Sequence, residues 1–236
     1  MCGKFTALMT WGEYVACAGV GTDGGAGGDD PMPAEKDLGT FTPMAMVPVL
    51  HLGPVRQRRI SPMRWGWHDE NAMNPLRTFK KDHLHARSET IDVKQAWRES
   101  FHERRGVVFT KQFNIGESLP NGKTQQWQCW RPGNQPMALA VIFNAWQLVQ
   151  GPLRTLAMVT TASCYPLNEK DDRMPAILRD DHEVALWLGE LGATPDELKA
   201  LLRPYPDGEL LMRPQGAPPK PKPPSRSRTT PQPGLF

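Results

Sequence analysis

The chain reads as an α+β domain in which a largely antiparallel sheet carries a few short helices. Three features predict this. Apolar β-type segments succeed one another between Val107 and Thr161, with turn residues rather than helices between them. Helix patterns with clear capping residues stand toward the two ends of the chain. No strand–helix–strand series is present to build a parallel sheet. The 236 residues suffice to bury a sizeable core, and 39% hydrophobic with 22% charged residues fits a globular protein.

Taken in order, Thr10-Trp11-Gly12-Glu13 forms a capping box that opens a short helix through Cys17, which Gly19 and Gly21 end. The glycine-rich stretch Gly21–Asp30 predicts a loop; it lacks the GK[ST] sequence and the preceding strand of a phosphate loop. Phe41–Leu50 is extended, and Pro43 and Pro48 suggest an edge or irregular strand because proline donates no ladder hydrogen bond. His83–Thr90 reads as a strand entering a helix capped by Asp92, with Val93, Trp97 and Phe101 as its apolar stripe. Val107–Phe113 is read as one strand and Asn121-Gly122 as a hairpin turn. Strands over Gln125–Arg131, Met137–Phe143 and Thr155–Thr161 follow, with Asp171–Pro175 as a loop after the last of them. A helix is expected from Asp181 to Leu191, with Val184, Leu188 and Leu191 on one face and Gly192 as its stop. Thr194-Pro195-Asp196-Glu197 opens another, ending before Pro204. The folded domain is expected over residues 1–212. The tail, 213–236, holds eight prolines and the basic Lys220, Lys222, Arg226 and Arg228 without acidic residues. It predicts disorder, either as a solubilising tail or as a weak, salt-sensitive attraction to polyanions.

Composition excludes several classes. A net charge of +3 is too small to signal nucleic-acid binding by itself. The four cysteines, Cys2, Cys17, Cys129 and Cys164, show no CxxC spacing, so neither a zinc ribbon nor a disulfide framework is expected. His83 and His85 share a strand face but lack a third ligand at suitable spacing, so no metal and no cofactor are expected. No apolar run is long enough to span a membrane and no signal-peptide pattern opens the chain, which predicts a cytoplasmic protein without a membrane partner.

Two stretches carry chemistry. Arg56, Arg58 and Arg59, followed by Arg64-Trp65-Gly66-Trp67, mix cations with aromatics. They either contact phosphates and bases or divide into a solvated basic face and core tryptophans. At the N-terminus, removal of Met1 would leave Cys2 with a free α-amine beside its thiol. That amine titrates near ~7.7–8.0, against ~10.4 for a lysine, so part of it is neutral near neutral pH. An aminothiol of this kind is a nucleophile, and with an aldehyde it closes a thiazolidine ring.

Several separated pieces, in order, resemble one family: Met1-Cys2-Gly3-Lys4, Arg64-Trp65-Gly66, Ala86-Arg87-Ser88-Glu89-Thr90, the arginine-rich helix end with the strand from Val107, the Met137–Phe143 strand, Thr160-Thr161-Ala162, Asp172-Arg173-Met174-Pro175 and Pro204-Tyr205-Pro206. Together they are similar to the SRAP domain family, the SOS response-associated peptidases that include the abasic-site processing proteins. The resemblance spans nearly all of residues 2–212. It implies a single α+β domain around a twisted, barrel-like, mostly antiparallel sheet, and a basic cleft for single-stranded DNA. It also implies a cytoplasmic monomer in which Cys2 forms a thiazolidine crosslink with the ring-opened aldehyde of an abasic site.

By matching position, the resemblance makes Cys2 the nucleophile. Lys4, Arg64, Trp65, Trp67 and Arg87 become DNA contacts, and Arg173 either contacts DNA or buttresses the site. His85 stands where the family has Asn, and Asp171 where it has His. The family's Glu falls on Ile115 in a gapless match and on Glu117 after a two-residue slip. His85, Asp171 and Glu117 are therefore the candidate acid–base groups. Two other activities remain open: a Cys2-dependent thiol peptidase or autoprocessing enzyme, and a non-catalytic single-strand binder.

Overall fold

The computed structural model of the chain describes residues 3–21, 38–67, 84–148 and 151–216. The chain enters through β1 (Lys4–Met9), turns through helix α1 (Trp11–Ala18) and continues with β2 (Leu38–Phe41), β3 (Met46–Leu52) and β4 (Arg58–Trp65). After β5 (His85–Arg87) come α2 (Gln95–Glu103) and the run β6 (Arg105–Thr110), β7 (Gln112–Ser118), β8 (Thr124–Trp130), β9 (Met137–Leu148) and β10 (Gly151–Ala162). Two short strands, β11 (Arg173–Pro175) and β12 (Ile177–Leu178), lead to α3 (Asp181–Leu188), α4 (Pro195–Leu201) and a last strand, β13 (Leu211–Pro214). Cys2, residues 22–37, His83 and the tail from Ala217 lie outside the described residues.

The strands form an eight-stranded and a five-stranded sheet. In the larger one, β10 pairs with β4 and also with β9, so β10, β4, β3, β6 and β9 close into a ring. Among the described residues only the pairings of β10 with β4 and with β5 are parallel. Alternation sorts the side chains. Val47, Val49, Met63, Val108, Val141 and Met158 fill the barrel, while their neighbours Leu50, Ile60, Val107, Ile142 and Val159 join a second cluster with residues of the helices. The smaller sheet, ordered β13-β8-β7-β1-β2, is antiparallel throughout and adds Phe5, Phe113, Ile115 and Cys129 to the barrel's cluster. The α+β, barrel-like expectation therefore holds.

Several boundaries differ from the sequence reading. The apolar run at Val107–Phe113 is two strands in different sheets. The Thr110 hydroxyl donates to Thr6 O at 2.7 Å at the corner between them, and Lys111 N bonds Ala7 O at 3.0 Å. β3 is an interior strand, paired with both β4 and β6. Pro48 is tolerated because it stands opposite Pro62 and short of the β6 pairing, where its carbonyl accepts from Tyr14 Oη at 2.5 Å. α2 starts at Gln95 without a side-chain cap, Val93 is exposed, and Asp92 pairs instead with Lys199 at 2.7 Å. α3 stops at Gly189, whose φ of 90° closes the helix, which leaves Leu191 outside it and exposed. Arg173 lies in a strand, not a loop, and β13 runs two residues past the expected boundary at Met212.

The arginines of the 56–59 cluster prove partly structural. Arg56 donates to Gly189 O at the end of α3. Arg58 donates to Ala18 O at the end of α1 at 2.9 Å and grips Glu190 at 2.6 and 2.8 Å. Arg105 donates to Trp187 O of α3 and, at 2.7 Å, to Phe101 O of α2. Each brings positive charge to a helix C-terminus, whose last carbonyls have no intrahelical partner. Three helices are fastened to the barrel in this way.

Candidate functional site

The site is built at the start of β1, which lies between β2 and β7 in the five-stranded sheet. Gly3 is the first residue described, and Cys2, which precedes it, lies outside the described residues. In β1, Lys4 stands opposite Asn114 and Phe5 opposite Phe113. Facing residues of a ladder share a face, so Phe5 turns inward and Lys4 outward. Phe5 stacks on Phe41 at 5.2 Å and meets Trp65 at 5.3 Å, which fixes the start of β1 against the barrel. Beside Gly3 and Lys4 opens a hollow of about 440 Å³, walled also by Thr42, Gly116, Ser118, Thr124 and Gln126. Among the described residues its lining contains a cation and neutral hydrogen-bonding groups and no carboxylate.

Trp65 is fully buried, its Nε1 donating to Leu84 O at 3.3 Å, and Trp67 is 3% exposed, edge-on to Trp97 at 4.8 Å. Buried rings offer no face to a base, so both belong to the core and the stacking expectation for them is withdrawn. Trp65 meets the ring of His85 edge-on at 6.3 Å. His85 is half-buried on β5, paired with Met158, and Arg87 follows two residues later on the same face, exposed. Arg64 is half-buried on β4, between Met46 and Thr155 and on the face opposite Trp65.

Arg173 is 6% exposed. Its guanidinium grips both oxygens of Glu89, one at 2.9 Å, and donates to Thr160 O at 2.7 Å, while its own N–H donates to Asp171 Oδ1 at 3.2 Å. The Arg173 guanidinium in turn holds the Glu89 carboxyl below its usual range. A group so engaged is a brace between β11, β10 and the turn after Arg87, not a DNA contact. Ile115 is fully buried opposite Trp127, whereas Glu117, one pleat further on the same face, accepts from Trp127 Nε1 at 2.8 Å and Lys170 Nζ at 3.3 Å. Lys170 also lies 4.8 Å over the Trp127 ring. Lys170 directly precedes Asp171, so this ion pair ties the loop of Asp171 to the five-stranded sheet.

Trp65 and His85 are thus in contact, Glu117 is linked to the Asp171 loop, and Arg87 lies two residues from the Arg173 brace. Sequence reasoning missed Lys170, Asn114 and Gln215. Only Lys170 carried a signal, its place next to Asp171. Among the described cysteines, burial pushes the Cys164 thiol up to about 11 and raises that of Cys17, and Cys129 is fully buried. None of the three suits a nucleophile at neutral pH. Among the described residues no cluster of three or more His, Cys, Asp or Glu could hold a metal ion, and no helix is long and apolar enough to cross a membrane.

Comparisons with known proteins bear on the chain's family and fold. The abasic site processing protein YoaM of Bacillus subtilis (strain 168) is 30% identical over 148 residues, 62% of this chain and 64% of that protein. The abasic site processing protein HMCES of Rattus norvegicus is 29% identical over 181 residues, 61% of this chain and 49% of that protein. The chain therefore spans just under two thirds of the bacterial relative and about half of the mammalian one. Among solved structures, a protein from Bacteroides thetaiotaomicron superposes with a TM-score of 0.70 at 17% identity, covering 90% of this chain and 91% of that one. A phage-related protein from Bordetella bronchiseptica does so with a TM-score of 0.66 at 16% identity, covering 91% and 94%. At those identities the likeness speaks for the fold alone. A family model described as SOS response associated peptidase (SRAP) matches residues 1–215, and the chain belongs to that family.

Proposed function

We propose that the chain processes abasic sites in single-stranded DNA by forming a thiazolidine crosslink through Cys2, once Met1 is removed. Family membership and the names of the curated relatives support the reading. The observation that carries it is that Gly3 and Lys4, which follow Cys2 in sequence, wall an open hollow without a carboxylate among its described lining residues, instead of entering the core.

The chemistry balances without an oxidant or a metal. The α-amine of Cys2 adds to the aldehyde carbon of the ring-opened sugar, and the carbinolamine loses one water to give an imine. The thiol then adds to the imine carbon and its proton passes to nitrogen, closing the ring with one C–N and one C–S bond. A positioned acid to assist loss of water and a base to take the thiol proton each add typically ~10²–10⁴-fold. His85, half-buried beside Trp65, and the carboxylates of Asp171 and Glu117 are the groups proposed for these transfers. Arg87 and Lys4 are proposed to hold the flanking phosphates, with Arg64 along the same path.

Protein lacking Met1, incubated with an abasic oligonucleotide, is expected to give a heat-stable conjugate on a denaturing gel, absent with the intact oligonucleotide and lost in Cys2→Ala. Equal conjugate from Cys2→Ala would refute the role of Cys2. Binding without any conjugate would leave a single-strand binder in its place.

A further inference from the structure

One oxygen beside Lys4 is held in a way that points to a ligand. Lys4 Nζ donates to Gln215 Oε1 at 2.5 Å, and Asn114 Nδ2 donates to the same oxygen at 3.0 Å. Asn114 is fully buried, and its own Oδ1 has no hydrogen-bond partner. That orphaned oxygen is an acceptor and holds no anion itself, so a ligand anion here is held by the two donors alone. The two donors face outward on the five-stranded sheet, and Lys4 also walls the open hollow beside Gly3. A lysine ammonium and an amide N–H converging on one oxygen is the donor set that takes a phosphate oxygen.

Gln215 reaches this point from the end of β13. Its backbone N–H donates to Gln126 O at 2.7 Å, extending the strand's hold on β8 by one residue. Its side chain then lies toward β1, where Lys4 stands opposite Asn114. Gly116, on β7 opposite Gln126, presents no side chain in this region. Gln215 itself is exposed, so a competing oxygen can displace its side chain without unfolding anything.

We propose that Lys4 and Asn114 form a seat for a phosphodiester oxygen of the DNA strand, and that the Gln215 carboxamide is a neutral, displaceable plug of that seat. The inference rests on the function proposed above and adds to it a second donor and a competitor from the C-terminal strand. Gln215 makes hydrogen bonds there but brings no charge, so it holds Lys4 in place while remaining a weaker partner for an ammonium than a phosphate is.

The test is the affinity of an intact single-stranded oligonucleotide for the full chain, measured by fluorescence anisotropy at fixed salt. Gln215→Ala is expected to tighten binding about fivefold, a conservative share of what a hydrogen bond to a charged group is worth. Gln215→Glu, which places an anion on the seat, is expected to weaken binding. In a Lys4→Met background Gln215→Ala should change nothing, because additivity fails where two residues share one contact. Unchanged or weaker binding by Gln215→Ala, the same gain with Lys4→Met, or no binding by any variant would each overturn the plug. Crosslinking of abasic DNA by the wild-type chain, measured in parallel, separates the two claims. Conjugate without a Gln215 effect removes the plug and leaves the proposed function, whereas a Gln215 effect without conjugate does the reverse.

Discussion

Replacing Arg173 by Met should unfold the molecule sooner and leave the proposed attraction to single-stranded DNA almost untouched. The guanidinium is 6% exposed and donates to both Glu89 oxygens, to Thr160 O at 2.7 Å and to Thr160 Oγ1 at 3.3 Å. Removing one partner of a fully buried pair costs ~3–5 kcal/mol. The Glu89 side chain, however, is 52% exposed and water can take over its hydrogen bonds, which places the loss at the lower end, about 3 kcal/mol. For a domain of this size that is a fall in Tm of roughly 6–12 °C. Arg173→Lys keeps the charge but not the planar fork, and should recover only part of the loss. Urea titration followed by circular dichroism gives the stability, and the slope of log affinity against log salt for single-stranded DNA gives the phosphate count. Stability within ~0.5 kcal/mol of wild type together with a salt slope reduced by ~0.7 would refute the brace and restore Arg173 as a phosphate contact.

Three further outcomes follow from the same geometry. Arg87→Gln should do the opposite of Arg173→Met: stability within ~0.5 kcal/mol, but a salt slope lower by ~0.7, the contribution of one phosphate on a single strand. Burial lowers the pKa of His51 from an ordinary 6.5 to about 4, and the neutral ring sits between Ser61 Oγ at 3.0 Å and Leu52 O at 2.9 Å. The unfolded chain therefore takes up a proton below pH 6.5 that the folded chain refuses until about 4, and stability should fall by about 3 kcal/mol across that window. His51→Asn should flatten that part of a pH series of urea midpoints, and an unchanged slope would exclude His51 as its source. Gly19 closes α1 at φ +62° and a Cβ there would lie 2.7 Å from Arg58 Nη1, so Gly19→Ala should cost upward of ~1 kcal/mol by thermal melt.

What the sequence made legible was local or strictly periodic. The capping boxes at Thr10 and Thr194 formed as read, because both hydrogen bonds of each box lie within four residues. The Met137–Phe143 strand was read from its apolar run, which the barrel buries on both faces. What escaped depended on distant partners. The corner within Val107–Phe113 combines a local bond, Thr110 with Gln112, with bonds to Thr6 and Ala7 some hundred residues away, and the distant half was not legible. Arg56 and Arg58 read equally well as phosphate contacts or as a solvated face, because nothing near them in sequence is acidic. Their partners lie at Ala18, Gly189 and Glu190. Trp65 and Trp67 read equally well as cleft or core, and only burial decided between the two. At the site, nothing local told which of Ile115 and Glu117 the core would take. The register of β7 against β8 made Ile115 part of the core and left Glu117 to Trp127 and Lys170.

The proposal at the centre of this account is that the α-amine and the thiol of Cys2 act together on an aldehyde. Intact-mass spectrometry tests it with two forms of one chain, Met1 removed and Met1 retained, each incubated with the same abasic oligonucleotide. Both carry the Cys2 thiol, but only the first carries its free α-amine. The account predicts a conjugate from the first form alone, with a mass equal to protein plus oligonucleotide less one water. Conjugate of the same yield from the Met1-retaining form, or a mass without the loss of water, would contradict it.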